Sequence, residues 1–318
     1  MVEELATRPP AAMLERKKHP MLVELVVRLV KEKPLALVGG FIVLVVFLTG
    51  VFADFLAPYG MAEVHPTEAL SPPSVKYILG TDLLGRDLLS RIIFGARVSM
   101  IVGIAGASLN VLVATMIGLF SGYVGGKFDI VVQRVVDAFM CFPHLIIMLT
   151  VMSILGQGML QLILVLGVTA GIGQSRVVRS AVLGLKENIY VKAAVAIGCS
   201  VPRILYKHIL PNVMAPIIVI FTISMGNMIL SEATISFLGF GIPPPAPSWG
   251  GMLSGAGRNY MMVAPWLAIW PGLALGIAVF GINMLGDGVR DILDPRLRGG
   301  LGRYDTATRK KSRDKKPS

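Results

Sequence analysis

The sequence predicts an all-α integral membrane protein with six transmembrane helices and both termini on the cytoplasmic side. Three observations carry that prediction. The 318 residues are 54% hydrophobic and only 15% charged, with a mean hydropathy of +0.71, where a soluble domain holds about a quarter charged residues. The apolar residues gather in uncharged runs at or above the ~20 residues a helix needs to cross a bilayer. Lysine and arginine are also spread unevenly between alternate connecting segments, and that bias sets orientation.

The first run covers 34–53, and the segment before it is polar and basic, so a cleaved signal peptide does not account for the apolar content. The second run is 98–126. A third, over 138–175, is broken only by His144 and is nearly twice the length of one span. The turn residues Leu155-Gly156-Gln157-Gly158 divide it into two helices. Runs over 209–231 and 259–286 complete the six. Residues 1–34 hold 7 Lys and Arg, the segment with Lys127 and Arg134 holds 2, 176–207 holds 6, and 290 onward holds 10. The opposite side holds only Lys76, Arg86, Arg91, Arg97 and Arg258.

The chain thus divides into a cytoplasmic N-terminal tail (1–33), a first transmembrane helix with an extracytoplasmic segment (34–97), a core domain (98–293) with an inner loop at about 187–212, and a basic cytoplasmic tail (294–318). The extracytoplasmic segment begins irregular and Pro-rich. In its second half Thr81 and Asp82 read as the cap of an amphipathic helix lying on the outer surface. Asp82/Arg86 and Asp87/Arg91 would form its i,i+4 pairs, with Leu84, Leu88 and Ile92 on its apolar side. In the second outer segment Pro243-Pro244-Pro245 excludes helix from the first half, and Trp249, Tyr260, Trp266 and Trp270 read as interfacial anchors.

The net charge of +11 and pI of 9.8 raise nucleic-acid binding as a reading of the terminal RKKSRDKKPS. A solvated tail that holds orientation and touches anionic lipid accounts for it without nucleic acid. The two cysteines, Cys141 and Cys199, read as packing residues on the cytoplasmic half. No phosphate loop, H-E-x-x-H or G-x-S-x-G occurs, and His19, His65, His144 and His208 are scattered. No catalytic, cofactor or metal residue is therefore expected in the chain. A gradient-driven transporter or channel, the alternative reading, would place ionisable residues deep in several spans. The candidates here are Asp137, read as a partner for Arg134 or a neighbouring helix end, and Glu232, read as a structural hydrogen-bonding group or a solvated cavity position.

The stretch YVKAAVAIGCSVPRILYKHILPN (190–212) is too polar to span and too regular for a random loop. Small Ala193 and Ala194 let a surface approach the backbone, Gly198 permits a sharp turn, Pro211 suits the first turn of a helix, and the flanking bases suit an acidic or polar partner. The pattern resembles the E-A-A-x3-G-x9-I-x-L-P loop of the permease subunits of ATP-binding-cassette importers. Lys192, Ala193, Ala194, Gly198, Leu210 and Pro211 fall on the motif, with Lys192 in place of its glutamate and His208 in place of its isoleucine. PLALVGG, ADFLAPY, LGTDLLGRDLLSRIIFGARVS, SEATISFLGFGIPPPAPSWGGML and APWLAIWPGLALGIAVFGINMLGDGVRDILDPRLR are further similar to the second, C-type permease of the dipeptide, oligopeptide and nickel systems.

The resemblance implies the transmembrane domain of a type I importer in the cell membrane of a prokaryote. It implies a second homologous permease as heterodimer partner, two cytoplasmic ATPase subunits that bind ATP and magnesium, and an extracytoplasmic binding protein that selects a peptide or a related small solute such as nickel. The inner loop would be the ATPase-coupling segment.

Overall fold

The computed structural model describes residues 33–293. The expected basic tail, and all of the N-terminal tail except Lys33, lie outside the described residues. Among the described residues the chain is helical, with a single antiparallel bridge between Thr81 and Asp87. Five helices are long and apolar enough to span: α1 (Pro34–Val51), α3 (Leu88–Val124), α6 (Met159–Lys186), α9 (Met214–Phe237) and α12 (Trp266–Leu293). The short α2 (Ala53–Leu56) follows α1.

The third expected span is broken. In its place α4 (Gly126–Met140) and α5 (His144–Leu155) meet at 87°. Pro143 causes the break: it sits at φ −56, ψ 124 as the residue before α5, and its ring bars Phe142 from the helical region. With 12 residues, α5 is about 18 Å long at 1.5 Å per residue, short of the ~30 Å hydrocarbon layer. The turn at 155–158 lies where the sequence places it, with Gly156 at φ +82. Helix α6 then runs about three turns beyond the end of the uncharged run and takes Arg176 and Arg179 into the helix.

The expected surface helix from Thr81 does not form. Residues 81–87 make a tight turn in which the Asp82 carboxylate accepts from the backbone of Leu84 (2.8 Å) and Arg86 (3.0 Å). Gly85 has φ +74, and a Cβ there would lie 1.8 Å from the His65 carbonyl oxygen, so no helix passes through it. The cap is Asp87, whose carboxylate accepts from the backbone (2.8 Å) and hydroxyl (2.7 Å) of Ser90, and the helix it starts is α3 itself. Asp82 still pairs with Arg86 at 2.7 Å, and Arg91 reaches Asp82 at 3.5 Å instead of Asp87.

Helices α3 and α6 pack along a seam of small residues: a Cβ on Gly118 would stand 2.6 Å from the Ser175 carbonyl, and one on Gly171 2.6 Å from the Val113 Cβ. With apolar lipid around them, such helices associate through close backbone approach. Lys33 pairs with Asp291 at 2.6 Å, tying the start of α1 to the end of α12. At the opposite face 57–87 and 239–265 cap the bundle through α10 (Trp249–Leu253) and α11 (Ala256–Asn259). Trp249 is no interfacial anchor: it is 2% exposed and donates to the Ile92 carbonyl at 3.1 Å. Trp266 donates to the Thr81 carbonyl at 3.3 Å, while Tyr260 and Trp270 are exposed.

Candidate functional site

Two features stand out, one at the face opposite the cap and one within the bundle. The first is the 187–212 segment. Its helix α7 (Ile189–Ala196) follows Asn188 in extended conformation. It ends in a full Schellman motif: Gly198 N–H donates to the Val195 carbonyl and Cys199 N–H to the Ala194 carbonyl, each at 3.0 Å. Gly198 at φ +79 occupies the left-handed position that glycine fills without strain. Then come α8 (Val201–Ile204), a π turn Leu205–Ile209 and a 3-10 turn Leu210–Asn212. Pro211 lies in this separate 3-10 turn and not in the first turn of α9.

The two alanines face opposite ways. Ala194, 4% exposed, packs with Val191, Ile204, Leu205, Ile209 and Val213 against Val178 and Val182 of α6 and Leu119 of α3. Each fully buried aliphatic side chain contributes about 1.5–3 kcal/mol relative to exposure, so the segment is a packed unit. Ala193, Gly198 and Pro211 are exposed, and Leu210 is half-buried. Around them Ile197 is 79% exposed and Tyr206 77%, with Ile189, Val195 and Val201 exposed beside them. Lys192 lies on the same surface, paired with Glu187 at 2.8 Å, and its ammonium holds the Glu187 carboxyl below the ordinary glutamate value. Exposed apolar side chains ringed by Lys192, Arg203 and Lys207 suit a protein partner.

The second feature is a cavity of about 580 Å³ at the α4–α5 bend, lined in part by His144, Thr169, Gln174, Asn227 and Ser231. His144 Nε2 lies 3.0 Å from Thr169 Oγ1, so the one ionisable residue of the 138–175 run faces this space. A smaller cavity of about 340 Å³ lies further along α4 and α6, lined in part by Asp129, Gln133, Arg134, Asp137, Arg176 and Arg179. Asp137 meets Arg134 at 3.5 Å, as expected, and Arg176 more closely. Asp129 receives Arg179 through two nitrogens, one at 2.6 Å. Glu232 is fully buried and accepts from Ser236 Oγ at 2.7 Å, the structural bond expected of it. Sequence reasoning missed the cluster by counting Arg176 and Arg179 as loop charges. The readable signal was Asp129, Gln133 and Asp137 at i, i+4 and i+8, one face of a helix.

Comparison with known proteins agrees with this architecture. Residues 114–299 match the family described as binding-protein-dependent transport system inner membrane component, and residues 22–73 match the N-terminal transmembrane domain of oligopeptide transport permease C. The chain is 38% identical over 268 residues to the dipeptide transport system permease protein DppC of Alkalihalophilus pseudofirmus, covering 84% of this chain and 88% of that one. It is 37% identical over 268 residues, with the same coverage, to the oligopeptide transport system permease protein OppC of Bacillus subtilis. It is also 37% identical over 264 residues to the glutathione transport system permease protein GsiD of Pectobacterium atrosepticum, covering 83% and 87%. Among solved structures, the inward-facing methionine transporter MetNI superposes with a TM-score of 0.51 at 18% identity, over 64% of this chain and 96% of that one. The broken third span, the packed 187–212 segment and these matches lead to one conclusion: the chain belongs to the binding-protein-dependent transport system inner membrane components, among the permeases of the dipeptide and oligopeptide branch.

Proposed function

We propose that the chain forms one half of the translocation pore of an ATP-driven importer of peptides, and that a cytoplasmic ATPase docks on residues 187–212. The observation that carries this reading is the 187–212 segment: a glycine-capped helix fixed by its own core, presenting exposed apolar residues and bases away from the bundle. The other half of the pore is a homologous permease. Two ATPase subunits hold ATP and magnesium, and an extracytoplasmic binding protein delivers cargo. Both termini face the cytoplasm of a prokaryotic cell. On this arrangement Lys192, Ala193, Gly198 and Pro211 meet the ATPase, whereas Ala194 and Leu210 fix the segment to the helices behind it. A lone gradient-driven carrier needs a charge free to load and unload an ion; the Asp129 and Asp137 carboxylates are both engaged by arginine, and the fully buried Glu232 accepts from Ser236.

The test is cross-linking from single cysteines in a background lacking Cys141 and Cys199. Ala193→Cys and Tyr206→Cys are expected to cross-link to a co-purifying ATPase, and Ala194→Cys is not. Purification of the chain with no ATPase, or equal cross-linking at 193 and 194, overturns the docking assignment. In the assembled complex Gly198→Glu should insert normally while ATP hydrolysis no longer drives uptake, which parallel ATPase and uptake assays read.

A further inference from the structure

The two cavities share a pair of helices. Phe139 and Met140 of α4 with Gly173 and Gln174 of α6 line the larger; Gln133, Arg134 and Asp137 of α4 with Arg176 and Arg179 of α6 line the smaller. At about 1.5 Å per residue the second lies one turn of α6 nearer the 187–212 face. A solute leaving the larger cavity toward that face meets the arginines.

The chemistry changes between the two. The larger cavity offers hydroxyl, amide and imidazole groups and no carboxylate. The smaller sets three guanidinium groups against two carboxylates, a net charge of +1. Asp129 is held by Arg179 in a two-point pair. Asp137 is shared between Arg176 and the more distant Arg134, and Arg176 Nε is buried with no hydrogen-bond partner. A buried donor without an acceptor is costly, and the guanidinium fork matches a carboxylate at two points.

We propose that Arg176, with Arg134, forms a subsite for the terminal carboxylate of the transported peptide as it leaves the larger cavity. The inference rests on the reading of the chain as half of a peptide importer's pore. In it the cargo's carboxylate replaces Asp137 as acceptor for the two guanidinium groups, and Asp137 takes them back when the cargo departs. The same net positive charge repels a bare divalent cation, as rings of basic side chains do in anion pores.

The experiment uses the complete importer in proteoliposomes and measures uptake of trialanine and of its C-terminal amide. The binding protein's own preference is common to all variants and cancels when each acid-to-amide ratio is divided by that of the wild type. Arg176→Gln is expected to lower the ratio about fivefold, the scale of one partly exposed ion pair. Arg176→Lys, which keeps the charge and loses the fork, should fall between. Asp137→Asn frees both arginines and should raise the ratio, so it decides the matter alone if Arg176→Gln fails to insert. An unchanged ratio in active variants overturns the subsite alone, and an equal loss of both substrates does so by marking the cluster as an assembly contact. If the wild type imports neither form, the peptide reading itself fails and the subsite falls with it.

Discussion

Gly198 and Ala194 sit four residues apart and answer to different physics. At φ +79 any side chain on residue 198 carries left-handed strain of about 1–2 kcal/mol, although nothing lies within 4 Å of a Cβ placed there. Gly198→Ala should therefore loosen the end of α7 without a clash, and hydrogen exchange should show faster amides over 195–199 with the spans unchanged. Ala194 has the reverse problem: its φ is helical but its surroundings are closed. Ala194→Leu should overpack the core and cost about 1–3 kcal/mol, seen as a lower Tm in detergent, while Ala193→Leu should leave Tm in place. The motif marked both alanines alike, because two neighbours on a short helix carry no signal of which one faces in. Packing in one cluster with Val178, Val182 and Ile204 decides it, and the motif specifies none of those residues.

Among the elements, uncharged runs located the spans, because charge is excluded from hydrocarbon whatever the packing. They failed where a local rule was overridden from a distance. Asp82, Arg86, Asp87 and Arg91 have helical spacing, yet the approach of His65 to Gly85 forces a turn and moves the helix start to Leu88. Asp87→Ala should remove the real cap and cost about 1 kcal/mol, seen as faster hydrogen exchange in the first turn of α3, whereas Thr81→Ala, which loses the bonds its buried hydroxyl makes with Glu68 and Ser71, should leave the exchange of that turn unchanged. The 138–175 run was legible as two spans, but the break in the first of them was not, since Pro143 lies inside an apolar run long enough to cross unbent. Replacing Pro143 with Ala restores the missing N–H and relieves Phe142. Distances between spin labels at 130 and 152 should lengthen as α4 and α5 straighten.

For the molecule as a whole, the arginine and lysine bias predicts an orientation that labelling can check. Cysteines at Met61 and Tyr206, both exposed and on opposite faces, should react with a membrane-impermeant maleimide from outside and from inside the cell respectively; the reverse pattern would invert the chain. The core that holds the 187–212 segment also has a mechanical consequence. Val191, Ala194 and Ile204 share one packed cluster with Ala114 and Leu119 of α3 and with Val178 and Val182 of α6, and packed interiors barely compress. The segment therefore has little slack of its own: on the proposed docking, a displacement of this packed unit would pass to α3 and α6 as through a stiff rod and not a spring. Arg176 stands half a turn before Val178 on the same helix, so on the proposed docking any movement of the foot of α6 would also carry the Arg176 and Arg179 guanidinium groups that line the smaller cavity.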